Sequence, residues 1–238
     1  MDAPIEVWRT DFASLPALAD CDLASLDDAE RARLAGQLDP RAARRFALTR
    51  ALLRRLLGQR LGIGAAQVPI RVGPHGKPFC PAAPTLGFNV SHSERSALVA
   101  IGEGREVGVD VESLSSFDAS APLWPLACAD AECRWLERHR ENADRAFAAL
   151  WTRKEALLKA AGTGLRAPPT GIDLSAQMLA EAGGATWRTS AGAATAAWQT
   201  LALGPDQRGA VAVLDAPAGR SLRVTVHDFD VRRLHRPQ

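Results

Sequence analysis

A chain of 238 residues with 47% hydrophobic and 24% charged side chains can bury a core without disulfide or metal staples, which excludes a disordered chain. A net charge of +2 points to no polyanionic partner, and four cysteines without CxxC spacing suit free thiols in a reducing cytoplasm. No uncharged apolar run reaches the roughly 18 residues of a membrane span, and Asp2, Glu6, Asp11, Asp20 and Asp22 interrupt the opening segment, so neither a span nor a secretory leader is expected.

Taken in chain order, residues 5–12 read as an opening strand, and Asp22 or Ser25 is expected to cap a helix running into the late thirties. Pro40 then starts a longer helix over 41–61, with Phe46, Leu48, Leu52, Leu53, Leu56, Leu57 and Leu61 as its apolar stripe. Seven arginines and no acid share that helix, from Arg41 to Arg60. Residues 73–78 are dense in turn formers, and 86–102 read as a hairpin turning at Ser93-Glu94-Arg95. An alternating strand follows at 106–112, then a mixed segment over 123–136 and a strongly apolar helix over 144–161 that ends at Gly162. After Pro168-Pro169 the pattern predicts a meander, with strands at 170–176, 185–191, 196–204, 209–215 and 221–230. The class is α+β, divided near Arg105 into subdomains 1–105 and 106–238.

Chemistry concentrates in two of these elements. In Val107-Gly108-Val109-Asp110-Val111-Glu112 the valines face one way and the two carboxylates the other, close enough to lean onto one hard cation. The bland reading is a strand whose acids lie in water. On the 144–161 helix, Lys154 falls in the middle of the apolar face, where an unpaired ammonium is costly. Glu155 and Lys159 stand one turn apart at its edge, as a surface ion pair or as part of a metal and phosphate site. Of 29 basic residues 26 are arginine, so Lys77, Lys154 and Lys159 draw notice as point charges. No zinc spacing, nucleophile elbow or Walker loop is present.

The ordered set Gly76-Lys77-Pro78, Phe88-Asn89-Val90-Ser91-His92-Ser93, Gly108-Val109-Asp110-Val111-Glu112 and Trp151 through Leu165 resembles the Sfp-type 4'-phosphopantetheinyl transferases. The resemblance runs from about Arg41 to Leu165 and takes in all three lysines. It implies two similar α/β subdomains in one monomeric chain. It also implies transfer of phosphopantetheine from coenzyme A to a serine of an apo carrier protein of fatty-acid, polyketide or peptide assembly, with release of adenosine 3',5'-bisphosphate. By the same resemblance Asp110, Glu112 and Glu155 would hold Mg2+, and Lys159 would meet the bridging or leaving phosphate. Arg50, or failing it Arg45, would meet the 3'-phosphate, Lys77 and Pro78 the adenosine end, and Ser91 and His92 phosphate. The serine proton would go to Glu155, to Glu112 or to a metal-bound water.

Two other readings compete. A nucleic-acid binder explains the arginine helix but neither the paired acids nor Lys154, and aromatic residues at 5% without tyrosine offer little stacking surface. A catalytically lapsed carrier-protein binder is disfavoured because every implied ligand residue is present. Leu123, Trp124 and Leu126, set among prolines, are expected to form an exposed apolar loop on which a carrier protein docks.

Overall fold

The computed structural model describes residues 4–12, 23–117, 123–189, 192–216 and 221–230. Strand β1 (Ile5–Asp11) leads to helix α1 (Asp28–Ala35) and the long helix α2 (Pro40–Leu61). The cap of α1 is neither of the expected residues. Asp27 accepts from the Glu30 amide while Glu30 reaches back to the Asp27 amide, a capping box written in the sequence as D-x-x-E just past Ser25; Asp22 lies outside the described residues. In α2, Asp39 accepts from the amides of Arg41 and Ala42 and Pro40 occupies the first turn, where its missing N–H is harmless. Such a side-chain cap stabilises a helix by about 1 kcal/mol.

The apolar stripe of α2 packs Leu52, Leu53, Leu56 and Leu57 against Phe88, Val99 and Ile101. Its arginines are less exposed than a cationic face would require. Arg54 is fully buried, bonded to Asp27, Glu30 and the carbonyls of Ala65, Ala66 and Val68. Arg50 Nε also rests on Glu30, so these two guanidinium groups fasten α1 to α2.

A short hairpin of β2 (Arg71–Val72) and β3 (Pro78–Phe79) precedes the longer hairpin of β4 (Leu86–His92) and β5 (Ser96–Glu103). Strand β6 (Val107–Ser113) follows, then α3 (Trp124–Ala127), α4 (Asp130–Arg138) and α5 (Ala143–Ala160). The chain continues with β7 (Ala182–Thr189), β8 (Gly192–Thr200), β9 (Gln207–Leu214) and β10 (Val224–Asp228). Two four-stranded sheets result, ordered β10-β1-β5-β4 and β6-β9-β8-β7, an α+β architecture in which α2 lies on the first sheet and α5 on the second. A cut at Arg105 separates the two sheets except for β10, which returns to pair in parallel with β1. Val107, Val109 and Val111 enter one core with Ile5, Leu98, Val211 and Val213, so the alternation of β6 is real.

Two predicted segments fold differently. Residues 170–176 form no strand; short 3-10 turns at Pro169–Gly171 and Ser175–Gln177 let Ile172 and Leu174 plug the core individually. The segment over 123–136 is helical, because Pro125 falls in the first turn of α3, where proline is tolerated. Trp124 is thereby buried in the core that holds Phe147, Leu157 and Trp198, while Leu123 and Leu126 stay exposed at 49% and 73%. Pro122 lies outside the described residues.

Candidate active site

The site begins with a missing side chain. A Cβ on Gly108 would stand 2.1 Å from the Ala156 carbonyl oxygen and 2.3 Å from the Ala160 amide, so only glycine lets α5 lie directly on β6. That contact brings the edge of α5, with Glu155 and Lys159, onto the carboxylates of β6. Lys159 Nζ lies 2.6 Å from Asp110 Oδ1 and 3.2 Å from Ser91 Oγ, and the Ser91 hydroxyl donates to the same Asp110 oxygen at 2.8 Å. Asp110 is buried, and its second oxygen, Oδ2, has no partner among the described residues; neither has the buried Glu155 Oε1.

The carboxylates sense one another. Burial, and then the Asp110 charge, push Glu112 up to about 7, opposed by a hydrogen bond from the Trp151 indole and by Lys159. Burial also raises Glu155, with Lys159 pulling the other way and Asp110 adding to the rise. Unpartnered buried carboxylate oxygens, with Glu112 and Glu155 raised beside them, are what a hard divalent cation relieves, so the donor set fits Mg2+. Among the described residues no three such side chains are already gathered around one ion position, and the Lys159 ammonium supplies the positive charge on Asp110.

Beside this cluster a cavity of about 350 Å³ is lined by Arg33, Arg50, Val72, Gly76, Pro78 and His92 among others. His92 is held below the usual imidazole range by burial, then by the charges of Arg45 and Lys159, its own backbone hydrogen bond opposing, with Arg33 adding a smaller push. Arg45, Lys159 and Arg33 thus each make the potential at the imidazole more positive, which favours an anion there, while Asp27 and Glu30 also line the cavity. Arg45 is only loosely engaged, 3.9 Å from Asp39, whereas Arg50 is held by Glu30.

Two lysines stand apart from this arrangement. Gly76 and Pro78 line the cavity, but Lys77 Nζ lies 2.5 Å from Glu106 Oε2 and 2.8 Å from the Ala160 carbonyl, at the C-terminal end of α5. Burial lowers its ammonium, against the hydrogen bond and charge of Glu106. Lys154 is a structural residue: fully buried, it bonds Glu132 Oε2 at 2.5 Å and the carbonyls of Ala127 and Pro169 at 2.9 and 3.0 Å, which satisfies all three ammonium protons. Glu132 also accepts from the amides of Ala129 and Leu174, so the knot ties α3, α4, α5 and the turns after them. Sequence reasoning missed Glu132, Arg33 and Trp151 as a donor to Glu112, and it gave Asn89 no role of its own although Asn89 stands in the Phe88–Ser93 stretch that carries the resemblance.

Comparison with known proteins supplies the family. A model of the 4'-phosphopantetheinyl transferase superfamily matches residues 106–214, which hold β6, α5 and the second sheet. The chain is 33% identical to the 4'-phosphopantetheinyl transferase HetI of Nostoc sp., over 68% of this chain and 70% of that one. It is 28% identical to the 4'-phosphopantetheinyl transferase psf-1 of Bacillus pumilus, over 81% of each. With the 4'-phosphopantetheinyl transferase gsp of Aneurinibacillus migulanus it shares 33% identity over about half of each chain. On these matches, and on a site built where β6 meets α5, the chain belongs to the 4'-phosphopantetheinyl transferase superfamily of enzymes.

Proposed function

We propose that this protein transfers the 4'-phosphopantetheinyl group from coenzyme A to a serine of an apo acyl or peptidyl carrier protein, with Mg2+ as cofactor. The observation that carries the reading is the pair of unpartnered buried oxygens, Asp110 Oδ2 and Glu155 Oε1, beside Lys159 and a cavity lined by Arg33, Arg50 and His92 as well as by Asp27 and Glu30. The cavity takes the adenosine bisphosphate end, with His92, Arg33 and Arg45 facing its phosphates and Gly76 and Pro78 against its adenosine. Asp110, Glu112 and Glu155 hold the cation, which when bound polarises the diphosphate and offsets charge on the leaving group. The serine hydroxyl attacks the pantetheine-side phosphorus, the bond to the bridging oxygen breaks, and adenosine 3',5'-bisphosphate leaves with that electron pair. Glu155 takes the serine proton, and Lys159 moves toward the bridging oxygen as its charge grows. Leu123 and Leu126 give the carrier an apolar foothold.

Incubation with coenzyme A, Mg2+ and apo carrier proteins tests the reading by mass spectrometry. The expected result is a gain of one phosphopantetheine on the carrier serine, abolished by EDTA. No gain on any of several carriers by folded protein would overturn it. Salt-sensitive retention on DNA or RNA in place of transfer would favour a nucleic-acid binder.

A further inference from the structure

Strands β4 and β6 are edge strands of different sheets that lie side by side, yet among the described residues no backbone hydrogen bond joins them. The amides of β6 that face β4 therefore lack ladder partners in a buried seam. Asn89 fills one of these positions with a side chain: its Oδ1 accepts the Val109 N–H at 3.1 Å, and the residue is 5% exposed. Two residues further along the same face of β4, the Ser91 hydroxyl donates to Asp110 Oδ1. Two alternate residues of one strand thus grip two successive residues of the other.

The grips differ in what they fix. Ser91 bonds a carboxylate that can rotate about its own side-chain torsions, whereas Asn89 accepts from the backbone N–H of Val109, the residue before Asp110. That bond sets how far β6 has slid along β4, and hence where the Asp110 carboxylate enters the seam. We infer that Asn89 is a positioning residue for Asp110, a carboxamide that replaces a missing sheet hydrogen bond so that Asp110 presents its unpartnered oxygen to the cation. The inference rests on the assignment of Asp110 as a metal ligand in the proposed function.

The test compares Asn89→Leu, similar in volume without an acceptor, with Asn89→Asp, which keeps an acceptor oxygen whether ionised or protonated. Mn2+ affinity is read by electron paramagnetic resonance in the presence of coenzyme A, alongside kcat and the KM for the carrier. Asn89→Leu should bind Mn2+ about tenfold more weakly, lowering kcat with little change in the carrier KM, and Asn89→Asp should restore both to within about threefold. Hydrogen exchange on the unmutated protein supplies a measurement independent of variant folding, since the Val109 amide should be protected like those of the β6–β9 ladder. Fast exchange at Val109, or wild-type Mn2+ affinity and kcat in Asn89→Leu, would overturn the positioning role while leaving the proposed function standing. Absence of both transfer and Mn2+ binding in the unmutated protein would overturn both.

Discussion

Lys159 Nζ rests 2.6 Å from Asp110 Oδ1, so an ammonium already compensates the most buried carboxylate of the site. The family resemblance makes substrate phosphate the partner of Lys159; the structure gives it two protein partners, Asp110 and Ser91. Its loss therefore acts on the free protein as well as on catalysis.

Lys159→Ala should lower kcat about 100-fold or more, as expected for removal of a donor to developing charge. In EDTA it should also destabilise the fold by about 2 kcal/mol, below the range for fully buried pairs because a quarter of the lysine side chain stays in water. Millimolar Mg2+ should recover more stability in the variant than in the wild type, since the cation replaces the missing charge. Thermal denaturation with EDTA and with Mg2+ checks this. An equal shift in both proteins would remove Asp110 from the cation site.

Glu112 yields a pH prediction for the metal-free protein. Its carboxyl stands at about 7 in the folded chain against an ordinary 4.5, so between these values the folded state holds a proton that the unfolded state has released. The stability linked to this proton is present in full below pH 4.5, is lost as pH rises toward 7, and is absent above. Glu112→Gln removes the dependence. In EDTA the variant should exceed wild type in urea midpoint at pH 8, and the two should converge near pH 4.5. A constant difference across that range would show that burial of Glu112 has no titration consequence.

The pattern of what the sequence discloses follows the range of each interaction. Strand and helix periods place Asp110 with Glu112 and Glu155 with Lys159, because these are local geometries. What joins the two pairs is the close approach of α5 at Gly108, a non-local contact for which a glycine in a valine run is only a hint. For Lys154 the periodicity shows that a partner is needed, but Glu132 is 22 residues away and reaches it only through packing of α4 on α5. The arginine-rich face of α2 reads as an anion surface until α1 brings Asp27 and Glu30 onto Arg50 and Arg54. Ile172 and Leu174 alternate like a strand because burial of single plugs and burial of a strand face leave the same trace over so few residues.

That clasp bears on the 3'-phosphate. Arg50 is held by Glu30, whereas Arg45 is loosely placed and its charge is the first after burial to act on His92. Arg45→Ala should weaken coenzyme A about tenfold while hardly affecting 3'-dephospho-coenzyme A. Arg50→Ala should affect both nucleotides alike, through the packing of α1 on α2. Calorimetric titration of both ligands against both variants checks this, and the opposite pattern would return the role to Arg50.

Of the three apolar residues proposed for carrier docking, Trp124 is withdrawn from the surface by the fold. Trp124 is 6% exposed and packed in the core with Phe147 and Trp198, so a substitution such as Trp124→Ser removes core volume and confounds any docking measurement. Leu123, at the N-cap of α3, and Leu126 within it are exposed, on the segment whose Ala127 carbonyl accepts from Lys154, the neighbour of Glu155. An apolar pair tethered through the Ala127 carbonyl to Lys154, on the helix that carries Glu155, can seat a carrier helix without moving the chemistry. Leu123→Asp with Leu126→Asp should raise the carrier KM about tenfold, equivalent to about 1.4 kcal/mol of lost contact, and leave coenzyme A affinity and melting temperature near wild type. Trp124→Ser should do the reverse, lowering the melting temperature first. An unchanged carrier KM in the double aspartate variant would place docking on another face.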